Sequence, residues 1–137
     1  MMKFVPNRDA LAQITAAKGL DALVAMSPEN FTYVSGAYVL TVGMIRPRQA
    51  FAVLPAKAAP FAVLCKIEET LTRAESWITE LTTYIEFKEE PVAVLADALT
   101  KAGLGGGRIG MDLDYLPASS YLRLIELLPQ ATLINTT

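Results

Sequence analysis

The two residues best suited to bind a ligand are Arg46 and Arg48, which stand on either side of Pro47. In an extended segment, side chains two positions apart leave on the same side, so both guanidinium groups would point the same way. Because Pro47 cannot donate a hydrogen bond to a sheet, this strand should begin there or lie at a sheet edge. Two guanidinium groups at an edge suit a carboxylate ligand or an acidic protein surface. The same two residues could also be solvated surface arginines without a ligand, and that interpretation stays open.

A second candidate is the pair Asp112 and Asp114, at the end of an apolar segment. Their spacing would put both carboxylates on one face of a strand end, where they could hold Mg²⁺ or Ca²⁺. Two carboxylates without a third ligand make a weak metal site. We therefore favour solvated acids between a strand and a helix, one of them near the helix N-terminus.

Two further motifs favour a structural interpretation. The run GGGRIG, residues 105–110, matches G-x-G-x-x-G, but a helix precedes it and a strand follows it, which reverses the order in phosphate-binding loops. A helix that ends at Gly103, followed by a flexible turn, explains these glycines better. Cys65 lies in an apolar segment beside Lys66, and we predict a buried structural thiol in preference to a nucleophile that has no general base.

The residue counts exclude several classes of enzyme and partner. The sequence has no histidine and one cysteine, which excludes Ser-His-Asp and Cys-His nucleophilic systems, histidine-containing zinc sites and an internal disulfide within it. A net charge of −2 without blocks of like charge argues against nucleic acid and anionic membranes as partners. The apolar runs are far shorter than the ~20 residues of a membrane span. We predict a cytoplasmic protein.

The length of 137 residues fits one domain, residues 1–137. Hydrophobic residues make up 53% of the chain and charged residues 19%, compared with about 25% charged residues in a typical domain. This surplus of apolar side chains indicates a surface that another domain or subunit covers.

Short apolar strands alternate with amphipathic helices along the chain, a pattern typical of an α/β fold. The runs AFAVL and FAVLC are joined by a short segment bounded by prolines, which predicts an antiparallel hairpin and hence a mixed sheet. The sequence therefore predicts a three-layer α/β domain with helices on both faces of a mixed sheet. Strands are predicted at 22–26, 50–54, 61–65, 82–87, 108–113 and 131–134, and helices at 8–18, 67–78, 91–102 and 117–128.

The segment SPENFTYVSG, residues 27–36, follows the first strand and predicts a helix of about two turns that starts at Pro28 and stops at Gly36. Such a helix adds little core. It lies at the carboxyl end of a strand, where α/β proteins usually place their sites. The segment therefore either performs chemistry or positions residues that do.

These residues carry a family resemblance. The run GLDALVAMSPENFTYVSG resembles the N-terminal domain of the creatinase, prolidase and aminopeptidase P family, and IGMDLDYLPASSYLRLIELLPQATLI is similar to the closing segment of that domain. Asp112 stands where glutamate is commoner in the family. The resemblance extends from about residue 7 to 134, and its motif positions here are Pro28, Asn30, Tyr33, Ser35 and Gly36.

The resemblance implies a ribonuclease-H-like fold and a non-catalytic role. In this family two divalent metal ions are held by a C-terminal pita-bread catalytic domain, which is absent from this sequence. No catalytic or metal-binding residue is therefore predicted here. The implied parent protein is a Xaa-Pro peptidase or a creatinase-like amidinohydrolase. Its expected partners are its own catalytic domain, a second copy in a homodimer, and a small peptide or creatine-like substrate.

The resemblance also gives a role to the arginines. In creatinase-like members, an arginine on the strand after the Tyr-x-Ser-Gly signature grips the substrate carboxylate in the neighbouring subunit. The resemblance implies that Tyr38, Arg46 and Arg48 face a substrate pocket. It also implies that the segment SPENFTYVSG holds these residues in position. Two alternatives remain, namely a stand-alone binding module and a small magnesium enzyme that uses Asp112 and Asp114.

Overall fold

The computed structural model describes residues 3–39 and 48–137. Its strands form one sheet in the order β4-β3-β2-β1-β5-β6. β2 is antiparallel to both of its neighbours, β1 and β3, while the other adjacent strands pair in parallel. The strands are β1 (Ala22–Ala25), β2 (Phe51–Pro55), β3 (Phe61–Cys65), β4 (Glu80–Tyr84), β5 (Arg108–Met111) and β6 (Thr132–Asn135).

Side-chain caps mark the start of the first two helices. The side chain of Asn7 accepts a hydrogen bond from the Ala10 amide at the start of α1. Ser27 does the same for the Asn30 amide at the start of α2, which Gly36 ends in a left-handed conformation. The described helices are α1 (Arg8–Ala17), α2 (Pro28–Ser35), α3 (Glu69–Glu75), α4 (Pro91–Lys101) and α5 (Ala118–Leu127), with a 3₁₀ turn at Lys66–Glu68 before α3. None of them is long and apolar enough to cross a membrane.

The core has two layers, one on each face of the sheet. On one face α4 and α5 bury apolar side chains, among them Leu95, Leu99 and Leu124. On the other face α1 and α2 pack against the sheet through residues such as Leu11 and Phe31. The predicted fold class, a mixed sheet with helices on both faces and an antiparallel hairpin, is confirmed.

Several boundary predictions were wrong. The third helix was predicted at 67–78, but α3 spans Glu69–Glu75 and Ser76 is its C-cap. The fifth strand was predicted at 108–113, but β5 ends at Met111. The fourth strand was predicted at 82–87, but β4 starts at Glu80 and ends at Tyr84, because its partner β3 ends at Cys65, the residue paired with Tyr84. The chain then enters a tight turn in which the amides of Lys88 and Glu89 both donate to the Ile85 carbonyl. The last helix, α5, has Pro117 as its N-cap and no acidic residue in its first turn.

Pro47, where a strand was predicted to begin or to lie at a sheet edge, is outside the described residues. The next strand, β2, begins at Phe51 and lies between β1 and β3, so it is not an edge strand.

All the parallel strands end at one side of the sheet, and β2 begins there. We call this side the carboxyl edge. Its strand termini are Ala25, Phe51, Cys65, Tyr84, Met111 and Asn135. In α/β proteins, ligands usually bind beyond this edge.

Candidate functional site

Asp112 is the central polar residue at the carboxyl edge between β5 and β1. The residue is 3% exposed. Its Oδ2 accepts hydrogen bonds from the amides of Met26 and Ser27, each at 2.8 Å, and its Oδ1 accepts one from Asn30 Nδ2 at 3.0 Å. Asp112 thus ties the end of β5 to the junction between β1 and α2.

This arrangement corrects the interpretation of Asp112 as a solvated acid, since its carboxylate is buried and accepts three hydrogen bonds. Asp114 is exposed, and its Oδ1 accepts a hydrogen bond from Asn135 Nδ2 at 2.9 Å. Over residues 3–39 and 48–137 no three histidine, cysteine, aspartate or glutamate side chains come together as a metal site. The ligands for the two metal ions implied by the resemblance are thus not found among the described residues.

Ser35 and Gly36 form a tightly packed turn at the end of α2. Ser35 is fully buried; its Oγ accepts from the Ala37 amide at 3.0 Å, and its carbonyl accepts from Ser76 Oγ at 2.6 Å. Gly36 has φ of +77°, and a Cβ at this position would lie 2.7 Å from the Phe4 carbonyl oxygen. Only glycine fits both the conformation and the space.

Tyr33 holds the N-terminal segment against α2. Its hydroxyl accepts a hydrogen bond from the Asn7 amide at 3.1 Å, and its ring meets the Phe4 ring edge to face at 5.8 Å. Pro28 occupies the first turn of α2, and Asn30 contacts Asp112. The motif residues therefore make structural contacts within this domain.

Arg48 forms a mostly buried ionic cluster with Glu86 and Glu68. Its Nη2 lies 2.8 Å from Glu86 Oε2, and its Nη1 lies 3.7 Å from Glu68 Oε1. The exposed fractions of the three side chains are 13%, 19% and 13%. The hydrogen bond to Glu86 raises the pKa of Arg48 above its usual value. The guanidinium group of Arg48 thus already forms ion pairs with two carboxylates of this chain.

Gln49, the next residue, is held by hydrogen bonds from its backbone and its side chain. The Tyr84 hydroxyl accepts from the Gln49 amide at 2.9 Å and donates to the Gln49 carbonyl at 2.8 Å, while Gln49 Nε2 donates to Ser120 Oγ at 3.2 Å. Burial raises the pKa of Tyr84 to about 12. Residues 48–49 are thereby attached to the ends of β3 and β4 and to α5.

The predicted substrate residues occupy different environments. Tyr38 is 57% exposed, and its amide donates to Glu75 Oε1 at 3.2 Å. Arg48 is mostly buried, and Arg46 lies outside the described residues. Their assignment to a substrate pocket stays a prediction. Cys65 is buried, as predicted, and Gly103, at φ of +80°, follows the end of α4, as expected for a helix-terminating glycine.

Sequence reasoning missed Glu68, Glu86, Tyr84 and Gln49 as partners at this edge. The predicted strand 82–87 placed Glu86 within a strand instead of after one.

Two surface grooves flank α1. One, of about 410 Å³, lies against the sheet and includes Asn30 and Asp112 in its lining. The larger, of about 640 Å³, is lined by α1 and the β2–β3 connection. This larger groove is away from the carboxyl edge, and of the substrate residues predicted within the described part of the chain it includes neither Tyr38 nor Arg48 in its lining. Its larger volume therefore does not make it the candidate site.

The match to a family model covers residues 8–137, and the model describes the creatinase/prolidase N-terminal domain. No curated protein matches this sequence.

Solved structures share the fold at low sequence identity. A proline dipeptidase from Streptococcus pneumoniae matches with a TM-score of 0.77 and 19% identity over 96% of this chain and 91% of that one. The creatinase/prolidase N-terminal domain of an X-Pro dipeptidase from Streptococcus pyogenes matches at 0.76 and 16%, over 93% and 91%. An X-Pro aminopeptidase from Thermotoga maritima matches at 0.76 and 12%, over 96% of this chain but 34% of that one. This chain thus spans about a third of the aminopeptidase.

Proposed function

Because this chain belongs to the creatinase/prolidase N-terminal domain family, we propose that it is the non-catalytic N-terminal domain of a metal-dependent hydrolase. The reaction class is that of a Xaa-Pro peptidase or a creatinase-like amidinohydrolase. The family match over residues 8–137 carries this proposal. The absence of histidine supports a non-catalytic role, because the chain lacks the usual base for a nucleophile.

In this proposal the two divalent metal ions and all catalytic residues belong to a C-terminal catalytic domain outside this chain. The N-terminal domain forms part of the wall of the substrate pocket and part of the interface of a cytoplasmic homodimer. SPENFTYVSG contributes by fixing the geometry of the carboxyl edge, through the contacts of Asn30 with Asp112 and of Ser35 with Ser76.

Of the two arginines, Arg46 is the better candidate to bind a substrate carboxylate. Arg48 is paired with Glu86 at 2.8 Å, so binding a substrate with it would require breaking a mostly buried ion pair. Arg48 is then a positioning residue next to the segment that carries Arg46, and Tyr38 is an exposed aromatic side chain available to a substrate.

The test is steady-state kinetics of the full-length parent enzyme with Arg46→Ala and Arg48→Ala, on a dipeptide substrate and its C-terminal amide. Arg46→Ala should raise KM at least tenfold for the carboxylate substrate only, with metal content unchanged, because a desolvated guanidinium–carboxylate pair is lost. The 137-residue chain alone should show no metal-dependent turnover.

If each substitution changes kcat/KM of the parent enzyme by less than twofold, neither arginine binds substrate and the assignment of both to the pocket is wrong. Metal-dependent cleavage by the purified 137-residue chain would overturn the non-catalytic role. A coding sequence that ends near Thr137 would favour the stand-alone binding module instead.

A further inference from the structure

Three large apolar side chains are exposed at the carboxyl edge beyond β3 and β4. Ile67 is 68% exposed, Ile85 48% and Phe87 86%. Cys65 and Tyr84 are the last paired residues of these strands, so the two segments that carry the apolar side chains leave the sheet side by side. We call Ile67, Ile85 and Phe87 the edge patch.

Phe87 occupies a backbone conformation that disfavours its own side chain. Its φ is +65°, and it is the one non-glycine residue with positive φ among the described residues. A bulky residue in this region is a conformational outlier that costs free energy. The ring gains nothing from burial in this chain, because it is almost fully exposed. Neither backbone preference nor packing within the domain accounts for a phenylalanine here.

The turn that displays Phe87 is held in place by hydrogen bonds. The amides of Lys88 and Glu89 donate to the Ile85 carbonyl at 3.1 and 3.0 Å. The Ile85 amide in turn donates to Glu89 Oε1 at 2.8 Å. The exposed ring therefore projects from a closed turn.

The ionic cluster of Arg48 orders both segments of the edge patch. Glu68 directly follows Ile67, and Glu86 stands between Ile85 and Phe87. Arg48 pairs with both glutamates, so one guanidinium group connects the two segments. An apolar surface fixed in this way loses little conformational entropy on binding, which favours association.

We propose that the edge patch is a docking surface for an apolar face of the catalytic domain, with Phe87 as its central contact. This inference rests on the proposed function, which supplies that domain as the partner. The Thermotoga maritima aminopeptidase, of which this chain covers 34%, gives the size that such a partner would have. β6 runs in the same direction as β4, so residues after Asn135 also leave the sheet at the carboxyl edge, although β6 and β4 are the outermost strands on opposite sides of the sheet. An exposed cluster of large apolar side chains is typical of an interaction surface.

The experiment compares hydrogen exchange at residues 66–69 and 85–89 in the 137-residue chain and in the full-length parent protein. A homologous N-terminal domain has been solved as a separate chain, which supports using the domain alone. Exchange should be at least tenfold slower in the full-length protein. Phe87→Gly should abolish most of that protection, while the urea midpoint of the 137-residue chain stays equal or rises, because glycine accepts φ of +65°. Leu122→Ala, at a 65% exposed position on α5, is the matched control and should leave the protection unchanged.

Equal exchange rates in the two proteins would overturn the proposal. So would a concentration-dependent dimer of the 137-residue chain in sedimentation that Phe87→Gly converts to monomer, since the patch would then join two copies of this domain. The readout does not need turnover. Protected segments in a parent protein without hydrolase activity would refute the proposed function and leave the docking surface in place.

Discussion

Asn30 and Asp112 are 82 positions apart in the sequence, and Asn30 Nδ2 donates a hydrogen bond to Asp112 Oδ1 at 3.0 Å. Together with the two amides that donate to Oδ2, this contact makes Asp112 the acceptor that holds the start of α2 against the end of β5. A carboxylate at the end of a neighbouring strand thus satisfies the amides of Met26 and Ser27, where the chain enters this short helix. That gives SPENFTYVSG a positioning role.

We expect Asp112→Ala to lower the free energy of unfolding by about 3 kcal/mol, because the buried amides of Met26 and Ser27 lose their acceptor. Urea denaturation of the 137-residue chain measures this. Asp114→Ala is the control, and its exposed position predicts a change within about 0.5 kcal/mol. Equal losses for the two variants would contradict the anchoring role of Asp112.

Gly36→Ala should destabilise the chain by about 2–3 kcal/mol, since the new Cβ meets the Phe4 carbonyl in a backbone conformation that already disfavours alanine. Gly19 has a similar φ of +62°, but a Cβ added there would have no atom within 4 Å. Gly19→Ala therefore isolates the backbone cost, at about 1 kcal/mol. Thermal unfolding should rank the two variants in that order, and the reverse order would show that the Phe4 contact yields without cost.

Arg48 and Glu86 should be strongly coupled, because their 2.8 Å ion pair is mostly buried. Each single substitution, Arg48→Met or Glu86→Gln, leaves a partner behind, whereas the double variant removes the charge from both. A double-mutant cycle in urea should give a coupling energy of about 1–3 kcal/mol. The exposed pair of Arg123 and Glu90 serves as the comparison, and its cycle should show little coupling. Additive effects at Arg48 and Glu86 would mean that solvent screens this pair as well.

Tyr84 predicts a loss of stability in alkali. Burial raises its pKa to about 12 in the folded chain, compared with about 10 in an unfolded one. The unfolded chain therefore releases this proton first, and stability should be intact below pH 10 and fall as the pH rises from about 10 to about 12. Phe at position 84 cannot ionise, so Tyr84→Phe should flatten this slope while lowering stability at pH 7 by about 1–2 kcal/mol through the lost bonds to Gln49. Unfolding curves recorded from pH 7 to 12 test both effects, and parallel pH profiles for the two proteins would argue against a buried Tyr84 hydroxyl.

The sequence alone determined the fold class, because a mixed α/β sheet follows from apolar runs and turn residues that are local in the chain. The hairpin of β2 and β3, the start of α2 at Pro28, the burial of Cys65 and the turn after Gly103 were all predictable in this way.

Only the tertiary structure decided what the polar residues at the carboxyl edge do. Asp112 accepts hydrogen bonds from amides at the end of the neighbouring strand β1. Arg48 forms ion pairs with Glu68 and Glu86, which follow β3 and β4. The strand β4 ends at the residue that pairs with the last residue of β3. Each of these contacts depends on the order and register of neighbouring strands. Strand register is set by the packing of the whole sheet. The residues of a local segment therefore do not determine which distant side chain will lie opposite them.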